Sequence, residues 1–214
     1  MADVPTTRRP RTGRRTRTSY HHGDLGPALV REAARTIRTA GVEAVTLRDV
    51  GRRLGVSRTA LYRHFADKSG LLAAVAREGF QAFSRALRGA WDEAGGGLEG
   101  LRAMGTAYIR FARTEPAHYR IMFGQYRALC ESDAALAADA AASFDVLLDA
   151  IAALERDGAI PVAADRAALA RYVWATVHGV AMLSIDGQLG PDPAAADALT
   201  AFTVNRLTTV VLST

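Results

Sequence analysis

The chain has 214 residues, 49% of them apolar, with 27 basic and 22 acidic side chains and a formal charge of +5. That length holds one large or two modest domains with a sizeable core, and the apolar content excludes a disordered chain. No run approaches the ~20 apolar residues that cross a bilayer, no apolar leader segment follows the N-terminal arginines, and the single cysteine, Cys130, cannot form an internal disulfide, so a cytoplasmic protein is expected.

The basic residues are unevenly spread. Residues 1–70 hold 15 basic and six acidic side chains, a net of +9, whereas residues 71–214 net −4. This asymmetry points to a polyanion-binding N-terminal module followed by a module with a different task. Six arginines between Arg8 and Arg17 lie among Pro, Thr and Gly, so residues 1–19 read as a flexible basic arm able to track phosphates or enter a minor groove.

From Asp24, a candidate N-cap, apolar residues recur every four positions at Leu25, Leu29, Ala33 and Ile37 until Gly41 supplies a stop. Thr46 caps a second helix, with Asp49 three positions on as its capping-box partner, and Gly55 ends it. Ser57 caps a third helix through His64, and Asp67 a fourth running to Trp91. After the break at Gly95-Gly96-Gly97, helical periodicity resumes at Leu101 and stops before Pro116, which opens a short helix to Phe123. Three more helices cover about 133–156, 165–186 and 193–212. No alternating strand of useful length occurs, so the fold class is all-α, with about nine helices.

The informative stretch runs from Thr46 to Phe65. Two short helices joined by a turn containing Gly55 fit a helix-turn-helix, with Gly51 small enough for a close crossing. Val50, Leu54, Val56, Leu61 and Phe65 supply a compact core. Ser57, Arg58, Thr59, Ala60, Tyr62, Arg63 and His64 then remain outside, a polar and basic surface suited to the major groove. An ordinary helical corner with solvated arginines is the alternative.

These residues resemble the TetR family of transcriptional regulators. The resemblance runs from Tyr20-His21-His22-Gly23-Asp24-Leu25 through Thr46-Leu47-Arg48-Asp49-Val50 and Leu54-Gly55-Val56-Ser57 to Leu61-Tyr62-Arg63-His64-Phe65-Ala66-Asp67-Lys68. Further on, Pro116-Ala117-His118-Tyr119-Arg120-Ile121-Met122-Phe123 and Trp174-Ala175-Thr176-Val177-His178-Gly179 resemble one C-terminal subclass of that family. Gly51 departs from the Ala more usual there. The resemblance implies a helix-turn-helix DNA-binding domain over 20–70, a helical ligand-binding and dimerisation domain over 71–214, and a homodimer whose headpieces enter successive major grooves. It implies phosphate contacts by Thr46 and Lys68, base-edge contacts by Arg48, Arg58, Thr59 and Ala60, and backbone or thymine-methyl contacts by Tyr62 and His64. Helix N-termini attract phosphate and Arg suits guanine, so elementary chemistry agrees.

In the C-terminal module, Met104, Tyr108, Phe111, Met122 and Phe123 supply large or adaptable apolar groups at helical spacing. Phe144, Leu148, Trp174, His178 and Met182 do the same. They read either as plain core or as the wall of an apolar effector pocket, with Trp174 and His178 four apart on one face. The last two helices carry more apolar surface than one intramolecular contact needs, at Leu169, Tyr172, Val173, Thr176, Val177 and Val180 and then at Leu199, Phe202, Leu207, Val210 and Val211. In the family such helices pair across a two-fold axis. The function expected is a repressor released from a palindromic double-stranded DNA operator by a small apolar or aromatic effector, with corepression as the opposite sign. The fourth helix, joining both modules, is the expected lever.

Other signals read as structural. His21 and His22 are adjacent and lack metal-ligand spacing, Cys130 has acidic neighbours at Glu131 and Asp133, and Gly95-Gly96-Gly97 lacks the strand and Lys of a phosphate loop. Neither cofactor nor metal is expected. The alternative classes are an α-helical enzyme using His178 as acid/base, and an architectural DNA-binding protein without ligand; no nucleophile or cofactor motif at recognisable spacing supports the enzyme.

Overall fold

The computed structural model describes residues 25–124 and 133–213. The basic arm, His21, His22, Asp24 and Cys130 lie outside the described residues. Nine α-helices and one 3-10 turn make up the regular structure among the described residues. They are α1 (Leu25–Ala40), α2 (Leu47–Arg53), α3 (Arg58–Tyr62), α4 (Lys68–Glu93), α5 (Gly97–Thr114), α6 (Pro116–Phe123), α7 (Ala134–Arg156), α8 (Arg166–Ile185) and α9 (Pro193–Val211), with the 3-10 turn at Val42–Ala44 between α1 and α2.

The helix starts follow from side-chain caps. The oxygens of Thr46, Ser57, Asp67, Asp133, Asp165 and Asp192 each accept from an amide in the first turn of the helix that follows, satisfying donors that have no intrahelical partner. At α2 the reciprocal half of the capping box is altered. Thr46 Oγ1 accepts from the Asp49 amide at 3.1 Å and donates to the Asp49 carboxylate at 2.8 Å. Helix α3 is shorter than its periodicity predicts, ending at Tyr62 instead of His64. The His64 amide turns to the Leu61 carbonyl three residues back, which tightens the last turn so that Asp67 can open α4.

Helix α4 is the spine: its 26 residues extend ~39 Å at 1.5 Å per residue. It packs against α1 at its beginning and against α5, α6 and α7 farther along. The domain boundary expected after residue 70 therefore falls inside a continuous helix. Leu71, Leu72, Val75, Phe80, Phe83 and Leu87 all point inward, and buried residues from α1 through α9 form one connected core. Helices α5, α7, α8 and α9 complete the far side, with α8 packed on all three others.

Helix α8 corrects one expectation. By length and composition it is apolar enough to span a bilayer, a property hidden in the sequence because Arg171 and His178 interrupt the run. Its inward face packs on the core through Val173, Val177 and Val180. Its outward face also carries apolar or small groups, Tyr172, Ala175, Gly179 and Leu183. The apolar excess therefore lies on an exposed face, away from the one packed in the core.

Candidate functional site

The helix-turn-helix is fixed by a tight crossing. Gly51 is buried, and a methyl group placed on it would lie 3.2 Å from Leu61 Cδ2 and 3.5 Å from Val56 Cγ2, which is why a glycine serves where α2 meets α3. Gly55 takes φ +66°, the left-handed conformation that the turn demands. Val50 and Leu61 are buried, with Leu54, Val56 and Phe65 packed around them.

Charges on this module are sorted by face. Glu32, on α1, receives Arg35 at 2.7 Å and Arg53 from α2 at 3.3 Å. The hydrogen bond from Arg35, with help from Arg53, holds the Glu32 carboxyl below the usual carboxylate range. Arg52 is paired with Asp49 at 2.9 Å. By contrast, Arg48, Arg58 and Arg63 are exposed, with no carboxylate within 4.0 Å among the described residues. Arg58 lies 5.6 Å from the centre of the Tyr62 ring, a cation–π contact that steadies both side chains on the outer face.

The remaining residues expected at DNA are placed as follows. Thr46, Ser57, Thr59, Tyr62 and His64 are exposed. Ala60 is half-buried and packs on the core, so only part of it faces outward. His64 Nδ1 would lie 3.4 Å from a methyl group on Gly26, so its ring rests against the first turn of α1. Lys68, half-buried at the start of α4, sits 3.7 Å from the Glu43 carboxylate.

A cavity of about 410 Å³ lies between α4, α5, α6, α7, α8 and α9. Of the residues expected to form a pocket, Met104, Tyr108, Phe123, Phe144 and Trp174 line it. Phe111, Met122, Leu148, His178 and Met182 do not. Phe111 packs edge-on against Phe83 at 5.2 Å, behind the wall. Met122 is fully buried against α4, its sulfur 2.7 Å from where a Gly79 methyl would stand. Met182 packs on the core nearer the end of α8. His178 is one layer back from the wall, in a polar cluster.

That cluster draws together side chains from α5, α6 and α8. Trp174 Nε1 donates to Tyr108 Oη at 3.0 Å, and Tyr119 Oη donates to Tyr108 Oη at 3.0 Å. His178 Nδ1 stands 2.6 Å from Tyr119 Oη and 3.1 Å from Tyr108 Oη. Burial pushes both phenols far above the ordinary tyrosine range, so they keep their protons, and burial lowers His178. A neutral imidazole with its proton on Nε2 makes Nδ1 the acceptor these hydroxyls need; this tautomer is assigned from the hydrogen-bond pattern. The arrangement orients Trp174 and Tyr108 in the wall and offers no nucleophile or metal set.

Sequence reasoning missed Tyr119, the wall residues Phe80, Phe83 and Leu87 on α4, and Arg171 on α8. It also missed Ala137, Ala140 and Ala141, which line the cavity from α7. A signal existed: alanines at this spacing give one face of α7 no bulk to fill the space between helices.

Residues 29–75 match the family of bacterial regulatory proteins, tetR family, and residues 101–207 match the tetracyclin repressor-like C-terminal domain. Over 57 residues the chain is 37% identical to an uncharacterized HTH-type transcriptional regulator of Mycobacterium tuberculosis, a match spanning 27% of this chain and 30% of that one. Among solved structures, a protein of unknown function from a Rhodococcus species aligns with a TM-score of 0.81 at 28% identity, covering 91% of this chain and 99% of that one. The TetR-family regulator PfmR of Thermus thermophilus shares the fold, with a TM-score of 0.65 at 21% identity over 85% of this chain and 97% of that one. With both halves matched in order on one all-helical frame, the chain belongs to the TetR family of transcriptional regulators.

Proposed function

We propose that this protein is a ligand-responsive, DNA-binding transcriptional repressor acting as a cytoplasmic homodimer. Residues 1–19 serve as a basic arm, 20–70 as the DNA-binding headpiece and 71–214 as the effector and dimer module. The observation that carries this reading is the sorting of charge. Arg35, Arg52 and Arg53 are held by carboxylates, while Arg48, Arg58 and Arg63 keep unpaired guanidinium groups on the outer face of α2 and α3. A face so built exposes donors that have no ion-pair partner within 4.0 Å among the described residues, as a major-groove reader requires.

In this reading Arg48, Arg58, Thr59 and Ala60 meet base edges, Ser57, Tyr62, Arg63 and His64 meet the adjoining backbone or methyl groups, and Thr46 and Lys68 meet phosphates. A salt titration separates these roles. Arg58→Ala changes preference among duplex sequences, whereas Lys68→Ala weakens all duplexes alike and lowers the slope of log K against log salt by about 1. Equal slopes for Lys68→Ala and the parent protein refute the phosphate role.

Dimerisation through α8 and α9 is supported by the outward stripe of Tyr172, Gly179 and Leu183 and by Phe202, which is 64% exposed. Two headpieces so joined would address half-sites ~34–36 Å apart or multiples of that spacing. The 410 Å³ cavity is the proposed effector site, taking a small apolar or aromatic molecule. Its coupling to DNA runs through α4 and α6. Phe123 at the end of α6 lines the cavity, Met122 and His118 seat α6 against Gly79 of α4, and α6 also packs on α1. An effector that prefers a shifted α6 moves the headpiece by its differential affinity for the two arrangements and releases the operator.

A further inference from the structure

We infer that the cavity takes an anionic amphiphile: an apolar chain or ring system inside, and a carboxylate or phosphate held by Arg171 at the rim. The inference rests on the reading of this cavity as the effector site.

It follows from accounting for every polar group in the wall. The Trp174 indole N–H is donated to Tyr108. With the His178 proton on Nε2, the two phenolic protons of Tyr108 and Tyr119 are both consumed within the triangle they form with His178 Nδ1. Ser143 spends its single hydroxyl proton on the Ala140 carbonyl of its own helix at 2.7 Å. The backbone amides of the surrounding helices are spent on their own ladders. A ligand bringing several hydrogen-bond acceptors would therefore find no unspent donor among the described residues of the inner wall and would lose its hydration without return.

Arg171 is the exception. It lines the cavity, is exposed, and has no carboxylate within 4.0 Å among the described residues. Its guanidinium presents a fork of donors matched to a carboxylate or phosphate. Among the described residues no Asp or Glu belongs to the wall, so a cationic amphiphile finds no counter-charge there and meets a like charge at the rim. The alanine face of α7 and the aromatic rings opposite accept the apolar body without specific contacts.

The test uses four probes sharing one ten-carbon chain: decanoate, decyl phosphate, decanol and decyltrimethylammonium. Each is titrated calorimetrically below its micelle threshold into the full chain and into Arg171→Gln, Arg171→Lys and Ala140→Phe variants. Decanoate and decyl phosphate should bind at least tenfold more tightly than decyltrimethylammonium, and the tighter of the two identifies the headgroup. Arg171→Gln should weaken both anions about tenfold and leave decanol unchanged, as expected for loss of one charge-assisted contact, while Arg171→Lys retains most of the preference. Ala140→Phe, which fills the cavity, should abolish binding of all four. Anion binding indifferent to Arg171→Gln, or a cation bound as tightly as the anions, overturns the anionic assignment while leaving the cavity as a site. Binding of no probe, or binding indifferent to Ala140→Phe, overturns the cavity reading itself.

Discussion

Removing one hydroxyl from the buried cluster should cost very different amounts depending on which tyrosine loses it. Tyr108 is 5% exposed and Tyr119 fully buried, and Tyr→Phe leaves ring packing intact, so transfer and cavity effects are small. In Tyr119→Phe, Tyr108 still accepts from Trp174 and still has His178 Nδ1, 3.1 Å away, for its own proton. Every remaining group keeps a partner, and the loss is that of one ordinary hydrogen bond, about 1 kcal/mol. In Tyr108→Phe, the Trp174 N–H loses its acceptor inside an apolar wall, and the cost rises to about 2 kcal/mol. For a chain of this size each kcal/mol moves Tm by about 2–4 °C, so Tyr119→Phe should lower Tm by ~2–4 °C and Tyr108→Phe by ~4–8 °C. Thermal unfolding followed by circular dichroism at one fixed protein concentration reads both. Equal losses, or a larger loss in Tyr119→Phe, would refute the proton bookkeeping on which the cluster and the cavity's lack of interior donors both rest.

Stability should fall as pH drops from about 7 toward 5. Burial holds His178 below the ordinary histidine range, so the unfolded chain takes up that proton first and is favoured as pH falls through the unfolded value of about 6.5. The urea midpoint should fall over that window, and His178→Asn, which keeps an acceptor near Nδ1 but does not titrate, should flatten the profile. A second decline begins below about 4.5, where the unfolded chain takes up protons that folded Glu155, held low chiefly by its hydrogen bond from Arg166 and then by the Ala163 amide, and folded Glu32 still resist. Gly79→Ala gains up to ~1 kcal/mol of helix propensity, yet its methyl meets Met122 Sδ at 2.7 Å and His118 Cβ at 3.2 Å. Overpacking should win, for a net loss of about 1–2 kcal/mol by urea titration; a stabilised variant would show that α6 yields freely. Phe202→Asp should convert the dimer to monomer in sedimentation with little change in helix content, and an unchanged dimer would exclude α9 from the interface.

Local signals made most of the fold legible. The caps at Thr46, Ser57, Asp67, Asp133, Asp165 and Asp192 and the stops at Gly41, Gly55, Gly95 and Gly158 act within one helical turn, so their chemistry can be read from adjacent letters. The shortened α3 escaped because its last turn is decided by the spacing to Asp67, a tertiary matter. The cavity was half legible. Met104, Tyr108, Phe123, Phe144 and Trp174 are legible as large apolar groups, but composition cannot say whether such a group faces a void or fills one. Met122 and Phe111 fill theirs, against Gly79 and Phe83 respectively. Tyr119 and Arg171 were missed because their roles depend on partners 59 residues away in one case and on the absence of a partner in the other. The outer face of α3 was legible as a surface, while the pairing of Glu32 with Arg53 across 21 residues, which distinguishes Arg53 from the unpaired Arg48, Arg58 and Arg63 of the same two helices, needed the fold.

Whether exposed guanidinium groups on crossed short helices read duplex sequence is decided by competition. Genomic fragments retained by the purified full chain are measured against random duplex of equal length at one stated salt concentration. A palindromic fragment should bind about 10³-fold or more above random duplex, with that ratio collapsing in an Arg48→Ala, Arg58→Ala double variant of unchanged helix content. A ratio near unity for every retained fragment, or a ratio that survives the double variant, would contradict it.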